Sequence, residues 1–152
     1  MSEPFSWVQP IHTLWARGDR LQAAFWYYVY QLRSRPWADA DRNGGGAAAL
    51  RASVAAGLGR EINEWIGSDP AAWRDTGARA IAYEKTLSLY SGRPDGVSQD
   101  DWLEANHKAR QAYEEGFNQM WAEYSPSDIE AQRRQRGLYV GPLKNPGQPL
   151  RW

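Results

Sequence analysis

The sequence predicts an all-α protein with four main helices, one or two short helices and an extended, proline-rich C-terminal tail. Apolar residues recur at spacings of three and four along most of the chain. Capping residues and glycines mark the ends of these runs, and no stretch shows convincing strand alternation. A chain of 152 residues can form one domain with a substantial core. We therefore expect a bundle-like helical domain over residues 1–137 and an extended strap over residues 138–152.

An aromatic-rich helix lies at the centre of this pattern. It follows the stop and cap Gly18-Asp19, and we expect it to end near Arg33 or Ser34, because Pro36 disfavours helix in the residue before it. Its predicted core face comprises Leu21, Phe25, Tyr28, Val29 and Leu32. Three further large aromatic residues fall on the opposite side: Trp26, Tyr27 and Tyr30. The helix is therefore either buried on both sides or docked on a partner.

The remaining elements follow from their caps and breakers. We expect an arm over residues 1–9, a short helix over 11–16, a glycine-rich loop over 35–46, and a helix over 47–66 with Leu50 on its apolar face. Gly57 and Gly59 in that helix indicate close approach of another helix or an aromatic ring. Asp69-Pro70 begins a helix running to Tyr90, Ser98 caps a long helix reaching about Tyr124, and Ser125 caps a short one ending at Arg136.

Asn106 is the one polar residue in the apolar seam of the long helix. It is either half exposed or buried there to fix the register of helix packing.

Composition excludes several classes of protein. The 18 basic and 18 acidic residues balance, which argues against a general nucleic-acid binder. There is no cysteine, so disulfides and thiolate chemistry are excluded. No run of 18 apolar residues predicts a membrane span, and the first residues lack the features of a signal peptide. We therefore expect a cytoplasmic protein without a membrane-spanning segment.

No catalytic, cofactor or metal site is predicted. His12 and His107 lack recognised ligand spacing, and Gly44-Gly45-Gly46 lacks the Gly-Lys-Ser/Thr of a phosphate loop. Glu84 lies beside an apolar helix face, where a carboxylate either acts as an acid or base or pairs with an arginine from another helix. We favour the ion pair.

The C-terminal segment is basic and carries aromatic residues. Residues 131–152 hold five positive charges and no negative charge. Arg133, Arg134 and Arg136 also suit the C-terminus of a helix, where cations complement the helix dipole. Together with Tyr139 and Trp152 they predict contact with an acidic protein surface, including that of a second copy.

These features predict a non-enzymatic structural or adaptor protein that acts by contact, as a homo-oligomer or as a subunit of a larger assembly. The partner surface would comprise the aromatic residues Trp26, Tyr27 and Tyr30 and the C-terminal residues named above. The alternative is a small-ligand binder or enzyme with an aromatic-lined pocket between helices, formed by Trp65, Tyr83, Glu84 and Tyr113. Nucleic-acid binding through the basic C-terminal segment ranks third.

One stretch resembles a known family. The residues Ala82-Tyr83-Glu84, Gly92-Arg93-Pro94-Asp95-Gly96 and Asp101-Trp102-Leu103-Glu104-Ala105 resemble a short bacterial domain family of unknown function, built as a helical hairpin. The chain departs from its pattern in the length between Tyr83 and Gly92 and in Asn106, where the family often has Glu. The resemblance implies a hairpin over about residues 82–105 and assigns no chemistry.

Overall fold

The computed structural model describes residues 4–40, 46–88 and 93–152. Within these ranges the chain is all-α, as predicted, with no strand. A 3₁₀ turn over Pro4–Trp7 precedes seven α-helices: α1 Val8–Ala16, α2 Arg20–Ala40, α3 Ala47–Val54, α4 Arg60–Ile66, α5 Pro70–Glu84, α6 Gln99–Glu123 and α7 Pro126–Gln135.

Helix α2 is the centre of the packing. Helices α1, α3, α4, α5 and α6 all contact it, and α7 packs against α5. The buried core accordingly draws most of its side chains from α2 and from the end of the α3–α4 segment: Ala23, Ala24, Phe25, Tyr27, Tyr28, Val29, Tyr30, Leu58, Ile62 and Ile66, with Ile11 and Ala80. Five of the other helices are therefore positioned directly against α2.

The first helix begins earlier than predicted. Residues 4–9 form the 3₁₀ turn and the start of α1 rather than an arm. The cause is aromatic packing, because Phe5 contacts Tyr30 and Trp37 edge-on, at ring-centroid distances of 6.2 and 6.3 Å. Residues 1–3 of the predicted arm lie outside the described residues.

Helix α2 continues through Pro36 to Ala40, so the predicted end at Arg33 or Ser34 is wrong, as is the loop over residues 35–40. An interior proline costs about 3 kcal/mol, and tertiary packing offsets that cost here. Pro36 itself is buried, and Trp37 packs edge-on against Trp102 of α6 at 5.7 Å. Residues 41–45 of the predicted loop, with Gly44 and Gly45, lie outside the described residues.

The segment over residues 47–66 is helical throughout, with one π-helical turn at Ala55–Gly59 between α3 and α4. The predicted close approach occurs at Gly59, where an added Cβ would overlap the ring and hydroxyl of Tyr27, whereas a Cβ at Gly57 would meet open space. Leu50, predicted on the apolar face, is 44 % exposed, because α3 contributes no buried residue.

The caps of the later helices agree with the sequence. The side chains of Asp69, Ser98 and Ser125 accept hydrogen bonds from the backbone N–H of Ala72, Asp101 and Asp128, at 3.2, 3.1 and 3.1 Å. Ser125 and Asp128 form a reciprocal capping box.

Helix α5 ends earlier than predicted. The last residue of α5 is Glu84 rather than Tyr90, which lies outside the described residues. The Arg110 guanidinium accounts for this end, because it donates to the backbone carbonyls of Glu84 and Leu87 at 2.8 and 3.1 Å.

Asn106 of α6 is buried. Its side-chain amide donates to the Trp102 carbonyl at 2.8 Å, which satisfies one of its polar groups inside the packed face of α6.

The C-terminal strap, residues 138–152, lies across the chain's own helices. The Gly141 N–H donates to the Ser68 carbonyl at 2.9 Å, and the Leu21 N–H donates to the Pro146 carbonyl at 3.0 Å. The Trp65 indole donates to the Lys144 carbonyl at 2.7 Å. An extended segment with three prolines in the stretch 142–149 thus has its backbone groups bonded to neighbouring helices.

We predict that Gly59→Ala lowers the free energy of unfolding by about 1 to 3 kcal/mol, because the added methyl group forces the buried Tyr27 ring to shift. Gly57→Ala is the matched control in the same turn. It should raise the free energy of unfolding by up to about 1 kcal/mol, since alanine is favoured over glycine in a helix. Urea denaturation followed by circular dichroism measures both, and equal effects would contradict the proposed close packing.

Candidate ligand groove

The aromatic residues on the second side of α2 are enclosed by the chain itself. Tyr27 and Tyr30 are each 1 % exposed. Trp26 is partly buried and makes edge-to-face contacts with Trp7 and Trp152 at 6.2 and 6.0 Å. Of the two alternatives, burial on both sides is therefore correct, and the predicted partner surface at Tyr27 and Tyr30 is wrong. The N-terminal turn, the π-helical turn and the strap supply the cover that the sequence pattern could not locate.

Glu84 forms the predicted ion pair, and it does so with two arginines. Its carboxylate is 2 % exposed. Arg33 of α2 donates to Oε1 at 3.3 Å, while Arg110 of α6 donates to Oε2 at 2.7 Å and to Oε1 at 3.1 Å. The carboxylate joins three helices and both of its oxygens are bonded, which is a sufficient structural role for its burial.

The four residues predicted to line a pocket are separated in the fold. Trp65 binds the strap through Lys144, Tyr83 packs among rings of α2 and the strap, and Glu84 lies in the ion-pair cluster. Tyr113 lies elsewhere, at a groove between α2, α5 and α6. The prediction of one pocket from these four residues is therefore wrong, and Tyr113 is the member that the structure places at a cavity.

That groove, called here the aromatic groove, has a volume of about 380 Å³. Its lining includes Tyr28 of α2, Asn63 of α4, Trp73 of α5, and Tyr113, Gly116 and Met120 of α6. Apolar surface with a small number of polar groups is typical of small-molecule sites.

Gly116 accounts for the open side of the groove. An added Cβ at Gly116 would meet no atom, so this part of α6 leaves space that a larger residue would fill. By contrast, a Cβ at Gly77 of α5 would overlap the ring of Phe117, which holds α5 and α6 close together at the neighbouring level.

A hydrogen-bonded chain fixes the polar groups of the groove. The Trp73 indole donates to the Tyr28 hydroxyl at 3.0 Å, and that hydroxyl donates to Asn63 Oδ1 at 2.6 Å. The Tyr113 hydroxyl donates to Gln31 Oε1 at 3.1 Å. Burial raises the pKa of the Tyr28 and Tyr113 hydroxyls, so both stay protonated at neutral pH and hold their hydrogen-bonding roles.

A second cavity of about 490 Å³ adjoins the groove. The two cavities share Asn63, Trp73 and Met120 as lining residues. The second one, called here the arginine hollow, is also lined by three arginines and one acid: Arg60, Arg133, Arg136 and Glu64. An aromatic cavity therefore lies next to a predominantly cationic one.

The C-terminal candidate residues are dispersed over the surface. Arg133 lies at the hollow, and its Nε donates to the Tyr139 carbonyl at 3.0 Å. Arg134 faces Glu130 on its own helix at 3.7 Å. Trp152 stacks on Tyr83 and remains 48 % exposed. Arg133 and Arg136 meet at one cavity, whereas Arg134, Tyr139 and Trp152 do not belong to it.

Sequence reasoning missed the groove, although part of its signal was present. Gly116 and Met120 share the three- and four-residue spacing of the apolar seam of α6, with Phe117 at its edge, and Trp73 lies on the corresponding seam of α5. A glycine among large side chains indicates either close packing or open space, and only the positions of the neighbouring helices distinguish the two. The role of Asn63 depends on a contact with α2, 35 residues away in the chain, for which the sequence has no local signal.

Among the described residues, no group of His, Cys, Asp and Glu side chains has the arrangement of a metal site. No helix in the described part of the chain has the length and apolar character needed to cross a membrane. Comparison with protein-family models, with curated proteins and with solved structures found no match to this chain.

We predict that Glu84→Gln lowers the free energy of unfolding by about 2 to 3 kcal/mol, because it leaves two largely buried guanidinium groups without their carboxylate. Glu114→Gln is the matched control. It removes an exposed ion pair with Lys85, 2.7 Å long, and should change the free energy by less than about 1 kcal/mol. Urea denaturation measures both variants, and a small effect of Glu84→Gln would show that the ion-pair cluster contributes little.

Proposed function

We propose that this protein binds a small, largely apolar molecule in the aromatic groove. The observation that carries the proposal is the groove itself, a preformed space of about 380 Å³ between three helices, beside an ordered hydrogen-bond chain. The structural or adaptor role predicted from the sequence depended mainly on an exposed aromatic face of α2, and that face is buried. The groove supports the alternative class predicted from the sequence, a small-ligand binder, although Tyr113 is the only one of the four predicted pocket residues that lines it.

The groove suits binding because its polar groups are already held in place. Tyr28, Trp73 and Asn63 bond to one another across three helices. Such groups lose little freedom when a ligand arrives, so more of the contact energy appears as affinity. The rings of Trp73, Phe117 and Trp121 offer apolar faces and edges to a flat or chain-like body.

Filling the open side of the groove tests this function. We expect Gly116→Phe to fold normally and to abolish binding, because its side chain enters space that is empty around Gly116. Gly116→Ala is the matched control at the same position. It should bind like the unchanged chain and gain up to about 1 kcal/mol of stability from helix propensity.

The probes are 2-naphthoate, 2-naphthamide, decanoate and decanol, titrated by isothermal calorimetry, with circular dichroism to confirm that each variant is folded. Binding of at least one probe to the unchanged chain and to Gly116→Ala, with loss in Gly116→Phe, supports the proposal. No binding by any probe, or equal binding to Gly116→Phe, contradicts it.

Contact with a second copy of the chain is the second candidate function, and charge placement favours it. Arg134 and Arg136 lie at the end of α7 and are exposed, and Arg136 lines the arginine hollow beside Met120 and Tyr124 at the C-terminal end of α6. At the other end of α6, Asp95, Asp101 and Glu104 line an acidic hollow together with Lys108. A helix of 25 residues separates these two ends by about 37 Å. Opposite charges at opposite ends favour head-to-tail association of copies.

Light scattering over a wide concentration range tests the second candidate. The molar mass should rise with concentration at low salt, fall toward that of a monomer at high salt, and stay monomeric for Arg134→Glu. Asp75→Lys, which changes charge on α5 away from both ends, is the control. A monomer under all conditions would rule out this self-association.

A further inference from the structure

We infer that the ligand of the aromatic groove is an anion, an apolar body that carries a carboxylate, and that its charged group lies in the arginine hollow. This inference rests on the proposed function and adds the chemical class of the ligand. The juxtaposition that carries it is the shared wall of the two cavities at Asn63, Trp73 and Met120.

The charge in the hollow is unbalanced. Three guanidinium groups line it, those of Arg60, Arg133 and Arg136, against the single carboxylate of Glu64. Among the described residues, Arg60 and Arg136 have no acidic group within ion-pair distance. Arginines that share a concave surface raise the local potential and attract anions.

Arg133 is the most constrained of the three. Burial lowers its pKa, and the charge of Glu64 opposes that change. Its Nε donates to the Tyr139 carbonyl, and this bond orients the guanidinium at the hollow. A planar guanidinium in a fixed orientation matches the geometry of a carboxylate.

Asn63 joins the two cavities and adds a donor at their boundary. Its Oδ1 accepts from Tyr28, so the amide N–H groups are the part of the side chain that remains to bond a ligand. The polar groups at the boundary and in the hollow are therefore mainly donors. They suit an acceptor-rich anionic group on a molecule whose apolar part occupies the groove.

Matched probes separate charge from shape. Each pair has the same body, 2-naphthoate with 2-naphthamide and decanoate with decanol, so the difference in affinity within a pair reports the carboxylate. We expect the acids to bind at least about tenfold more tightly than their neutral counterparts, and the difference to shrink as salt is added.

Arg60→Gln and Arg136→Gln test whether the hollow supplies that preference. Each should weaken binding of the acids by about threefold to tenfold and leave the neutral probes unchanged. Arg74→Gln, an exposed arginine of α5 outside both cavities, is the matched control and should change neither. These exposed positions avoid the structural contacts of Arg133.

The outcomes are distinguishable. Equal binding of acids and neutral probes, each abolished by Gly116→Phe, would overturn the anionic ligand and leave the groove as a binding site. An unchanged affinity for the acids in both arginine variants would also overturn it, because the two guanidinium groups without an acidic partner would then contribute nothing to binding. Absence of binding by all four probes would overturn both the ligand class and the proposed function.

Discussion

The hydroxyl group of Tyr28 constrains how α4 and α5 pack on α2, the central helix of the domain. A buried hydroxyl without a hydrogen-bond partner costs about 1 to 3 kcal/mol. Helix α2 buries three tyrosines, and the hydroxyls of two of them, Tyr27 and Tyr28, are bonded. Tyr28 obtains its partners from Trp73 and Asn63, which belong to two other helices, and Tyr27 accepts from Gln31 at 3.0 Å. These bonds are specific in direction and distance. The two bonds of Tyr28 therefore fix α4 and α5 against α2 in a way that apolar packing, which is non-directional, does not.

The buried carboxylate of Glu84 has the complementary effect at the other end of α5. It is bonded by one arginine of α2 and one of α6, and the second arginine also binds the carbonyl of Glu84, the last residue of α5. Buried ion pairs contribute little net stability when compared with apolar packing, but a carboxylate that loses its partners is strongly destabilising. Three helices must therefore meet at one point. The Glu84 side chain, a candidate acid or base from the sequence, thus joins α2, α5 and α6 through its ion pairs.

The sequence predicted the parts of the fold that have local causes. The caps at Asp69, Ser98 and Ser125 and the close approach at Gly59 were predictable because each depends on residue type and spacing. The continuation of α2 through Pro36 was not, since packing of Trp37 against Trp102 overrides the local preference. The candidate site was predicted less well. Tyr113 alone of the four pocket residues lies at the groove, because the cavity depends on how distant helices pack. Likewise, the aromatic face of α2 could be buried either by other segments of the chain or by a partner protein. The sequence pattern is the same in both cases.

The groove is a consequence of the same packing that stabilises α5 against α6. At Gly77 the absence of a side chain lets the Phe117 ring lie against α5, which brings the two helices together. Gly116, the residue before Phe117 in α6, has no side chain packed against it, and the space beside it stays open. The Trp73 and Trp121 rings meet edge-on at 5.6 Å and form a firm wall. The close contact at Gly77 and the open space at Gly116 thus bound one cavity without flexible loops. The arginines Arg60 of α4, Arg133 of α7 and Arg136 just after α7 give the adjoining hollow its charge. Shape and charge thus come from different helices, which is why each can be changed by substitution without removing the other.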